Sequence, residues 1–212
     1  GGRCTATISR NGDLVHKMYL ELDGEPADNS ANVNAAAIID VEIQIGGQKI
    51  DKQTGQFMNV WAHLTQPNEA GHVGQVDGNS ANGTRFQNMA HMGGAFTDST
   101  NAMKTFVPLS FWFCRNPGLA LPLIALQYHE VKVILNHNFG VIGSNGADGV
   151  YSALTSNKLW CDYIYLDTDE RRRFAQVSHE YLIEQLQFNN ITSVCANEPC
   201  ANVELRFNHP CK

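Results

Sequence analysis

The densest apolar sequence of the chain lies between residues 105 and 136, TFVPLSFWFCRNPGLALPLIALQYHEVKVILN, and any fold must bury most of it. Phe106–Phe113 is rich in aromatic and aliphatic side chains, which favour strands, and the turn residues at 115–118 follow directly. We therefore predict a strand over Phe106–Phe113 that ends in a turn.

A proline divides the second half of this stretch. Pro122 has no backbone N–H and would interrupt a sheet ladder, so Leu119–Leu126 is predicted to be a crossing segment or a short helical turn. Tyr128–Leu135 then alternates apolar with mostly polar side chains, which is the pattern of a strand with one face on a core. The apolar positions of this strand are Val131, Val133 and Leu135.

Composition favours one all-β domain. The 212 residues contain 18 glycines and only 17% charged residues, a mixture more typical of a β sandwich than of a helical bundle. The formal net charge is −6 and the largest basic cluster is Arg171–Arg173, which disfavours direct binding to nucleic-acid phosphates. Leu119–Leu126, the longest strongly apolar run, is much shorter than the roughly 20 residues of a membrane-spanning helix. The opening residues lack the pattern of a signal peptide.

The beginning of the chain predicts a hairpin. Thr5–Arg10 and Asp13–Leu22 are both strand-like, and Asn11-Gly12 between them is the dipeptide that best tolerates a tight turn with positive φ. His16 lies among apolar neighbours, so we expect a packed, hydrogen-bonded histidine there rather than a catalytic one. The polar segment 23–34 is predicted to be a loop.

A cleaner strand is predicted over Ile38–Ile45, followed by a turn at Gly46-Gly47. Its polar side chains, at positions two apart, are expected to form a solvated face rather than a metal site. They are Asp40, Glu42 and Gln44. The two glycines are not a phosphate-binding loop, because the Lys-Ser/Thr ending of that motif is missing.

Helical spacing is found at 53–64, where apolar residues recur at intervals of three and four. We predict a short amphipathic helix that ends before Pro67, with Phe57, Val60, Trp61 and Leu64 on its apolar face. Two long loops are predicted, over 65–104 and 137–157.

The last third of the chain predicts a strand at Lys158–Leu166 and a short helix capped by Asp167 or Thr168. Arg171–Arg173 in this helix fit either a salt-bridged helix face, which is the default, or an anchor between subunits. Two further strands are predicted, at Tyr181–Phe188 and Val203–Phe207.

No complete catalytic or metal-binding motif is found in the sequence. His179-Glu180 begins like a zinc-protease motif, but position 183 is Ile where the second histidine should stand. The spacings of the three scattered histidines, His63, His72 and His91, follow no ligand template, so we assign them to solvent or to subunit contacts.

The six cysteines are expected to be free thiols in a reducing compartment. Four C-terminal residues have side chains that suit zinc: Cys195, Cys200, His209 and Cys211. Their spacing is loose at one end and too tight at the other, so unpaired thiols or a Cys195–Cys200 disulfide are favoured over a metal site.

The run NPGLALPLIALQYHEV at 116–131 closely resembles a signature of the major capsid proteins of large icosahedral double-stranded DNA viruses, the phycodnavirus and iridovirus group. The resemblance recurs, in the same order along almost the whole chain, in four further blocks: Ser9–Leu14, Ile45–Asp51, Leu166–Gln187 and Phe207–Pro210. Five blocks in series make a chance match improbable.

The resemblance implies an antiparallel jelly-roll sandwich with short helices in its connections, the first of two consecutive rolls. On that basis we expect residues 1–188 to form the first roll without its first strand, 189–202 to be a linker, and 203–212 to begin the second roll. The family resemblance further implies homotrimers with a pseudo-hexagonal outline, neighbouring capsomers and minor capsid proteins as partners, and a shell over an internal membrane. It places the protein in the virion, assembled in the host cytoplasm, with no enzymatic activity and no cofactor.

Two other classes of function were weighed against the capsid interpretation. A carbohydrate-binding jelly roll would need exposed tryptophans, whereas the apolar surroundings of Trp61, Trp112 and Trp160 favour core packing. A cupin-like metalloenzyme would need a His-x-His pair, and none occurs in the sequence. For contacts or outer surface we single out Arg171–Arg173 and the two predicted loops.

Overall fold

The computed structural model describes residues 2–26, 32–66, 74–75, 81–82, 84–94, 103–139, 151–189 and 204–208. Their strands are β1 (Gly2–Thr7), β2 (Leu14–Pro26), β3 (Ile38–Ile45), β4 (Gln48–Thr54), β5 (Gly74–Gln75), β6 (Ala81–Asn82), β7 (Met103–Pro108), β8 (Leu121–Pro122), β9 (Val131–His137) and β10 (Tyr151–Ile164). Their helices are α1 (Val33–Ala37), α2 (Gly55–Thr65), α3 (Arg85–Ala90), α4 (Trp112–Arg115) and α5 (Thr168–Gln176), with a 3-10 turn at Pro117–Leu119.

The longer strands form two antiparallel sheets that face each other. The first sheet has the order β1-β9-β3-β4, and the second has the order β10-β2-β7 with β8 paired to β2. β1 and β2 lie in different sheets, and so do β9 and β10, so the chain passes repeatedly from one sheet to the other. The predicted all-β, antiparallel jelly-roll sandwich is confirmed.

The core lies between the two sheets and is closed at one end by aromatic side chains. Alternating residues of each strand point inward, as the pleat requires. Val41, Ile43 and Val133 come from the first sheet, and Leu22 and Val107 from the second, all less than 5% exposed.

One side of the sandwich is open. β1 and β10 are the edge strands of their sheets on that side, and a cleft of about 210 Å³ opens between the sheets there. Among the described residues, β10 pairs with β2 alone and offers its other edge to no strand. The cleft is lined mainly by apolar side chains, including Leu20, Val41, Leu135 and Leu159.

The predicted hairpin at Asn11-Gly12 is wrong. The two strands pack their apolar faces from opposite sides of the core, so they separate instead of pairing. Arg10 donates to the carbonyl oxygens of Leu126 and His129 at 2.8 and 3.2 Å, which fixes the crossing. Gly12 has no positive φ, and its role is steric: a Cβ there would lie 2.7 Å from the Cβ of Tyr163.

The predicted turn at Gly46-Gly47 is confirmed. It joins β3 to β4 with Ile45 opposite Gln48, and both glycines have positive φ, 60° and 82°. A two-residue turn of this kind needs left-handed backbone at both positions, which glycine adopts without steric cost.

The predicted strand over Phe106–Phe113 is too long. β7 ends at Pro108, and residues 112–115 form the helical turn α4. The aromatic residues here are Phe111, Trp112 and Phe113. In a strand, alternate side chains would point to opposite faces. With the helical turn all three are buried, with Phe111 and Phe113 at 0% and Trp112 at 2% exposure.

Helix α2 was predicted correctly, but its buried face was not. Thr54 caps it by accepting the N–H of Phe57 at 3.1 Å. Met58 and Ala62 are buried, whereas Val60 and Leu64 are 53% and 76% exposed. The helix packs on α1, β3 and β4, and the buried residues Met58 and Ala62 lie one helical turn apart on a single face.

The predicted loop over 65–104 contains a helix, α3. A capping box begins it, in which Thr84 accepts the N–H of Gln87 and the Gln87 side chain accepts the N–H of Thr84.

The second predicted loop, 137–157, is shorter than expected because β10 begins at Tyr151, not Lys158. Asp167 caps α5, as predicted.

The two strands predicted near the end are absent from the described residues there. Residues 178–189 follow an irregular extended path, and the N–H of Leu186 donates to the side chain of Asp51, not to a ladder carbonyl. Residues 204–207 are exposed and irregular, and none of the strands in the described part of the chain pairs with them.

Candidate interaction surface

A cluster of charged and aromatic side chains lies on the outer face of the second sheet. Because Leu20 and Leu22 of β2 point into the core, Glu21 between them points outward. In the sheet register Glu21 stands opposite Lys158 of β10 and Phe106 of β7. We call Glu21, Lys104, Lys158 and Trp160 the outer-face cluster.

Glu21 is the centre of this cluster. The indole N–H of Trp160 donates to its Oε2 at 2.6 Å, and the Nζ atoms of Lys104 and Lys158 lie 3.4 and 3.5 Å from its Oε1. The residue is only 3% exposed. The Trp160 hydrogen bond is the main factor that lowers the pKa of Glu21, with the two lysines assisting and burial opposing.

Trp160 is 51% exposed, so the prediction that it packs in the core is wrong. Its neighbours Leu159 and Cys161 pack against the core, which turns residue 160 outward. The hydrogen bond to Glu21 holds the indole in one orientation. An exposed but immobilised tryptophan bordered by lysines is suited to contact another surface, because little side-chain entropy remains to be lost.

The outer-face cluster is poorly suited to acid–base catalysis. A carboxylate whose pKa lies below its ordinary value stays ionised at neutral pH and exchanges protons inefficiently there. The described residues also contain no group of three or more histidine, cysteine or acidic side chains that could hold a metal ion.

The other two tryptophans are not available as sugar-stacking platforms. Trp112 is 2% exposed, as predicted, and the guanidinium of Arg115 lies 4.2 Å from the ring centre of Trp61, which is half-buried. One exposed tryptophan on an open sheet face does not make a carbohydrate groove.

The arginine cluster of α5 has one member in an ion pair, and the interpretation as an anchor between subunits stays a prediction. Arg171 forms an ion pair with Asp13 at 2.9 Å, so its salt-bridged role is confirmed. The pKa of Asp13 is lowered chiefly by the N–H of Leu166, which donates to it at 2.8 Å, and then by Arg171. Arg172 and Arg173 are exposed. Of the predicted contact loops, 67–73, 76–80, 95–102 and 140–150 lie outside the described residues.

The strand face of Asp40, Glu42 and Gln44 is less solvated than predicted. Asp40 is 6% exposed, forms an ion pair with Lys52 at 2.9 Å and accepts a hydrogen bond from Asn136 at 2.6 Å. Neighbouring strands on both sides of β3 supply these partners, which is why a single-strand pattern could not show them.

Two of the histidines considered in the sequence analysis, His16 and His91, are buried. His16 is buried, with its Nδ1 2.9 Å from the carbonyl oxygen of Phe113, as predicted. His91 is also buried, at the C-terminus of α3 with a φ of 49°, so its assignment to solvent or subunit contacts is wrong. His63 is exposed and His72 lies outside the described residues, as do Cys195, Cys200, His209 and Cys211.

The thiols of Cys4, Cys114 and Cys161 are free, which leads to a prediction. Burial raises the pKa of Cys114 to about 12 and that of Cys161 to about 11, so both stay protonated at pH 8. A short treatment with iodoacetamide at pH 8, followed by peptide mass mapping, should alkylate exposed Cys4 and spare the other two. Alkylation of Cys114 as fast as Cys4 would contradict its burial, and a sample unfolded in urea is the control.

Sequence reasoning missed Glu21 as the organising residue of the outer face. The strand alternation of β2 placed it outward, but its partners come from β7 and β10, which lie far away in sequence. Lys158 and Trp160 reach Glu21 only because the sheet register places Lys158 directly opposite Glu21 and Trp160 diagonally to it.

Comparison with known proteins gives a consistent result. The family model "Major capsid protein N-terminus" matches residues 1–167, and "Large eukaryotic DNA virus major capsid protein" matches 170–212. The major capsid protein of Pyramimonas orientalis virus is 49% identical over 223 residues, which is 100% of this chain and 51% of the relative. That of Phaeocystis pouchetii virus is 41% identical, with 100% and 47% covered.

A solved structure is also similar. The chain resembles the quasi-atomic model of the PBCV-1 virus capsid with a TM-score of 0.66 and 36% identity, covering 88% of this chain and 44% of that one. The chain therefore spans about half the length of the curated relatives it matches. Within the described part of the chain, no helix has the length and apolarity needed to cross a bilayer.

Proposed function

Because this chain belongs to the major capsid protein family of large eukaryotic DNA viruses, we propose that it is a repeating structural subunit of an icosahedral virus shell. The observation that carries the proposal is the match of the chain over its full length to viral major capsid proteins, at up to 49% identity with the relatives compared above. The jelly-roll sandwich and the outer-face cluster agree with a protein that works through its surfaces. The protein is located in the virion. We propose that the shell is assembled in the cytoplasm of the host cell.

The proposed domain organisation is a first roll over residues 1–188, a linker over 189–202 and the start of a second roll over 203–212. One fact supports a division of this kind: the chain covers about half of the length of its relatives. The two family models meet between residues 167 and 170, which lies inside the range proposed for the first roll. In the same proposal, a further strand of the full-length protein completes the first roll along the free edge of β10. A long unpaired edge beside an apolar cleft would otherwise be an aggregation site.

Three copies of the full-length protein are proposed to form a capsomer with pseudo-hexagonal outline, which contacts neighbouring capsomers and minor capsid proteins over an internal membrane. Closed trimers require surface patches that fit a neighbouring copy. The outer-face cluster is our candidate for such a patch, because tryptophan is enriched among residues that dominate interface energies. The net charge of −6 speaks against a direct role in holding nucleic acid.

Trp160→Ala should weaken assembly of the full-length protein without unfolding it. Loss of a central interface tryptophan costs about 2 kcal/mol or more, which corresponds to roughly a 30-fold weaker association of the variant. Light scattering after size exclusion, over a dilution series, measures the change in trimer dissociation. Tyr128→Ala is the matched control, because Tyr128 is 94% exposed but forms no part of the outer-face cluster.

The same experiment tests the proposed function itself. Wild-type full-length protein should elute as a trimer and show six-sided particles by electron microscopy. A wild-type monomer that is retained on glycan columns would contradict the capsid proposal and favour a carbohydrate-binding module. A normal trimer from Trp160→Ala would contradict only the role of the outer-face cluster.

A further inference from the structure

The segment 178–189 follows α5 and passes Ala120 and Arg115 to reach the edge strand β4 without forming a strand. We call it the strap. Much of its apolar surface points outward, since Leu182 is 82% and Phe188 50% exposed. Apolar burial therefore contributes little to holding the strap in place, and polar contacts must contribute the remaining stabilisation.

The first of these contacts is made by Asp51 of β4, which is 3% exposed. Its Oδ1 accepts the N–H of Leu186 at 3.0 Å and that of Lys52 at 2.8 Å, and its Oδ2 accepts from Gln53 Nε2 at 3.1 Å. The amide of Leu186 thus finds on a carboxylate the acceptor that a sheet ladder would have supplied. Burial raises the pKa of Asp51, while these three N–H donors and nearby Arg115 oppose the rise.

The second contact is made by Arg115 at the end of α4. One nitrogen of its guanidinium forms an ion pair with Glu184 of the strap at 2.7 Å, and Nε donates to the carbonyl oxygen of Ser110 at 2.9 Å. The guanidinium also lies over the ring of Trp61 in α2. Arg115 is therefore oriented by two other elements before it meets the strap, so little entropy is lost on contact.

Gln53 connects the two contacts. Its Nε2 donates both to Asp51 and to the carbonyl oxygen of Ser110, the same oxygen that Arg115 contacts. Gln53 is 2% exposed, so the link is shielded from water. Beside it, the Gln185 side chain donates to the carbonyl oxygen of Ile50. The strap is held at Glu184, Gln185 and Leu186, three consecutive residues.

We propose that Asp51 and Arg115 form a polar latch that fixes where the polypeptide leaves the first roll. The latch acts on the last residues before the proposed linker, so it sets the direction in which the second roll begins. This inference rests on the proposed function, because it assumes that the chain continues into a second domain. Asp51 and Arg115 are positioning residues, which act on the course of the backbone.

Hydrogen exchange of the full-length trimer tests whether the latch holds the strap. Asp51→Ala removes the acceptor of the Leu186 amide, and Glu184→Gln removes the ion pair from the strap side without touching the sandwich. Exchange of the Leu186 amide should accelerate roughly 10- to 100-fold in the first variant and by less in the second. The amides of β3 and β9 should keep their protection. Glu180→Gln, an exposed change just beside the strap contacts, is the control and should leave exchange unaltered.

Unchanged strap exchange in both variants would overturn the latch. Faster exchange with a normal yield of trimers would overturn its positioning role, because a released strap would then not disturb the second roll. Faster exchange together with a several-fold lower trimer yield supports the proposal. Failure of the wild-type protein to form trimers would count against the proposed function, and the strap exchange of the monomer would still report on the latch.

Discussion

Replacing Phe113 with alanine is expected to destabilise the protein by about 4 kcal/mol, the range for removing a fully buried aromatic ring. Phe113 is 0% exposed, stacks on Phe111 at 5.8 Å between ring centres and receives the edge of Trp112 at 5.1 Å. All three aromatic rings lie at the end of the core, so the void left by alanine cannot close without moving α4.

Denaturant unfolding of purified protein, followed by tryptophan fluorescence, measures this loss. Phe113→Leu should cost only about 1 kcal/mol, since most of the volume is kept. Equal losses for the two variants would show that volume at this position is unimportant and would contradict the packing described for α4.

Alanine in place of Gly55 is expected to cost about 3 kcal/mol, at the upper end of the usual effect of overpacking. A Cβ at Gly55 would lie 2.2 Å from the carbonyl oxygen of Ile38 and 2.4 Å from that of Ala35. Both are backbone atoms, in the middle of α1 and at the beginning of β3, so no side chain can rotate away and the N-terminus of α2 must shift.

Gly118→Ala is the matched control for Gly55→Ala. The nearest heavy atom to a Cβ at Gly118 is the side-chain oxygen of Asn116 at 3.4 Å, and the residue has no positive φ. Thermal unfolding should therefore separate the two variants, with Gly118→Ala within about 0.5 kcal/mol of wild type. A wild-type melting curve for Gly55→Ala would contradict the close approach of α1, α2 and β3.

The parts of the fold that sequence predicted well are those fixed by local chemistry. Gly46-Gly47 adopts the left-handed backbone of a two-residue turn whatever surrounds it, and Asp167 caps α5 through its own side chain. The alternation of Val131, Val133 and Leu135 similarly follows from the pleat of a single strand.

The predictions that failed depended on distant partners. Asn11-Gly12 has the sequence of a hairpin turn, but β1 pairs with β9 and β2 with β10, so the two strands are drawn into different sheets. The aromatic residues after Pro108 favour a strand by their intrinsic propensity. The structure instead buries the rings of Phe111, Trp112 and Phe113 together, which a strand could not do. Tertiary burial outweighed local preference there.

The candidate sites were almost invisible in sequence for the same reason. The outer-face cluster joins residues 21, 104, 158 and 160, and the latch joins residues 51, 115, 184 and 186. No spacing rule connects such positions. The sequence analysis did not single out Asp51, because its burial becomes visible only when β4 pairs with β3.

The pairing of early strands with late ones determines when this molecule can fold during synthesis. Cys4 contacts His137, 133 positions away, and Glu21 contacts Trp160, 139 positions away. The first sheet cannot be completed before its inner strand β9 (Val131–His137) has left the ribosome, and the second sheet cannot be completed before β10 (Tyr151–Ile164) has. Nascent chains must therefore carry uncovered apolar strands until β9 and β10 have been synthesised, and refolding is expected to be slow, as in other proteins of high contact order.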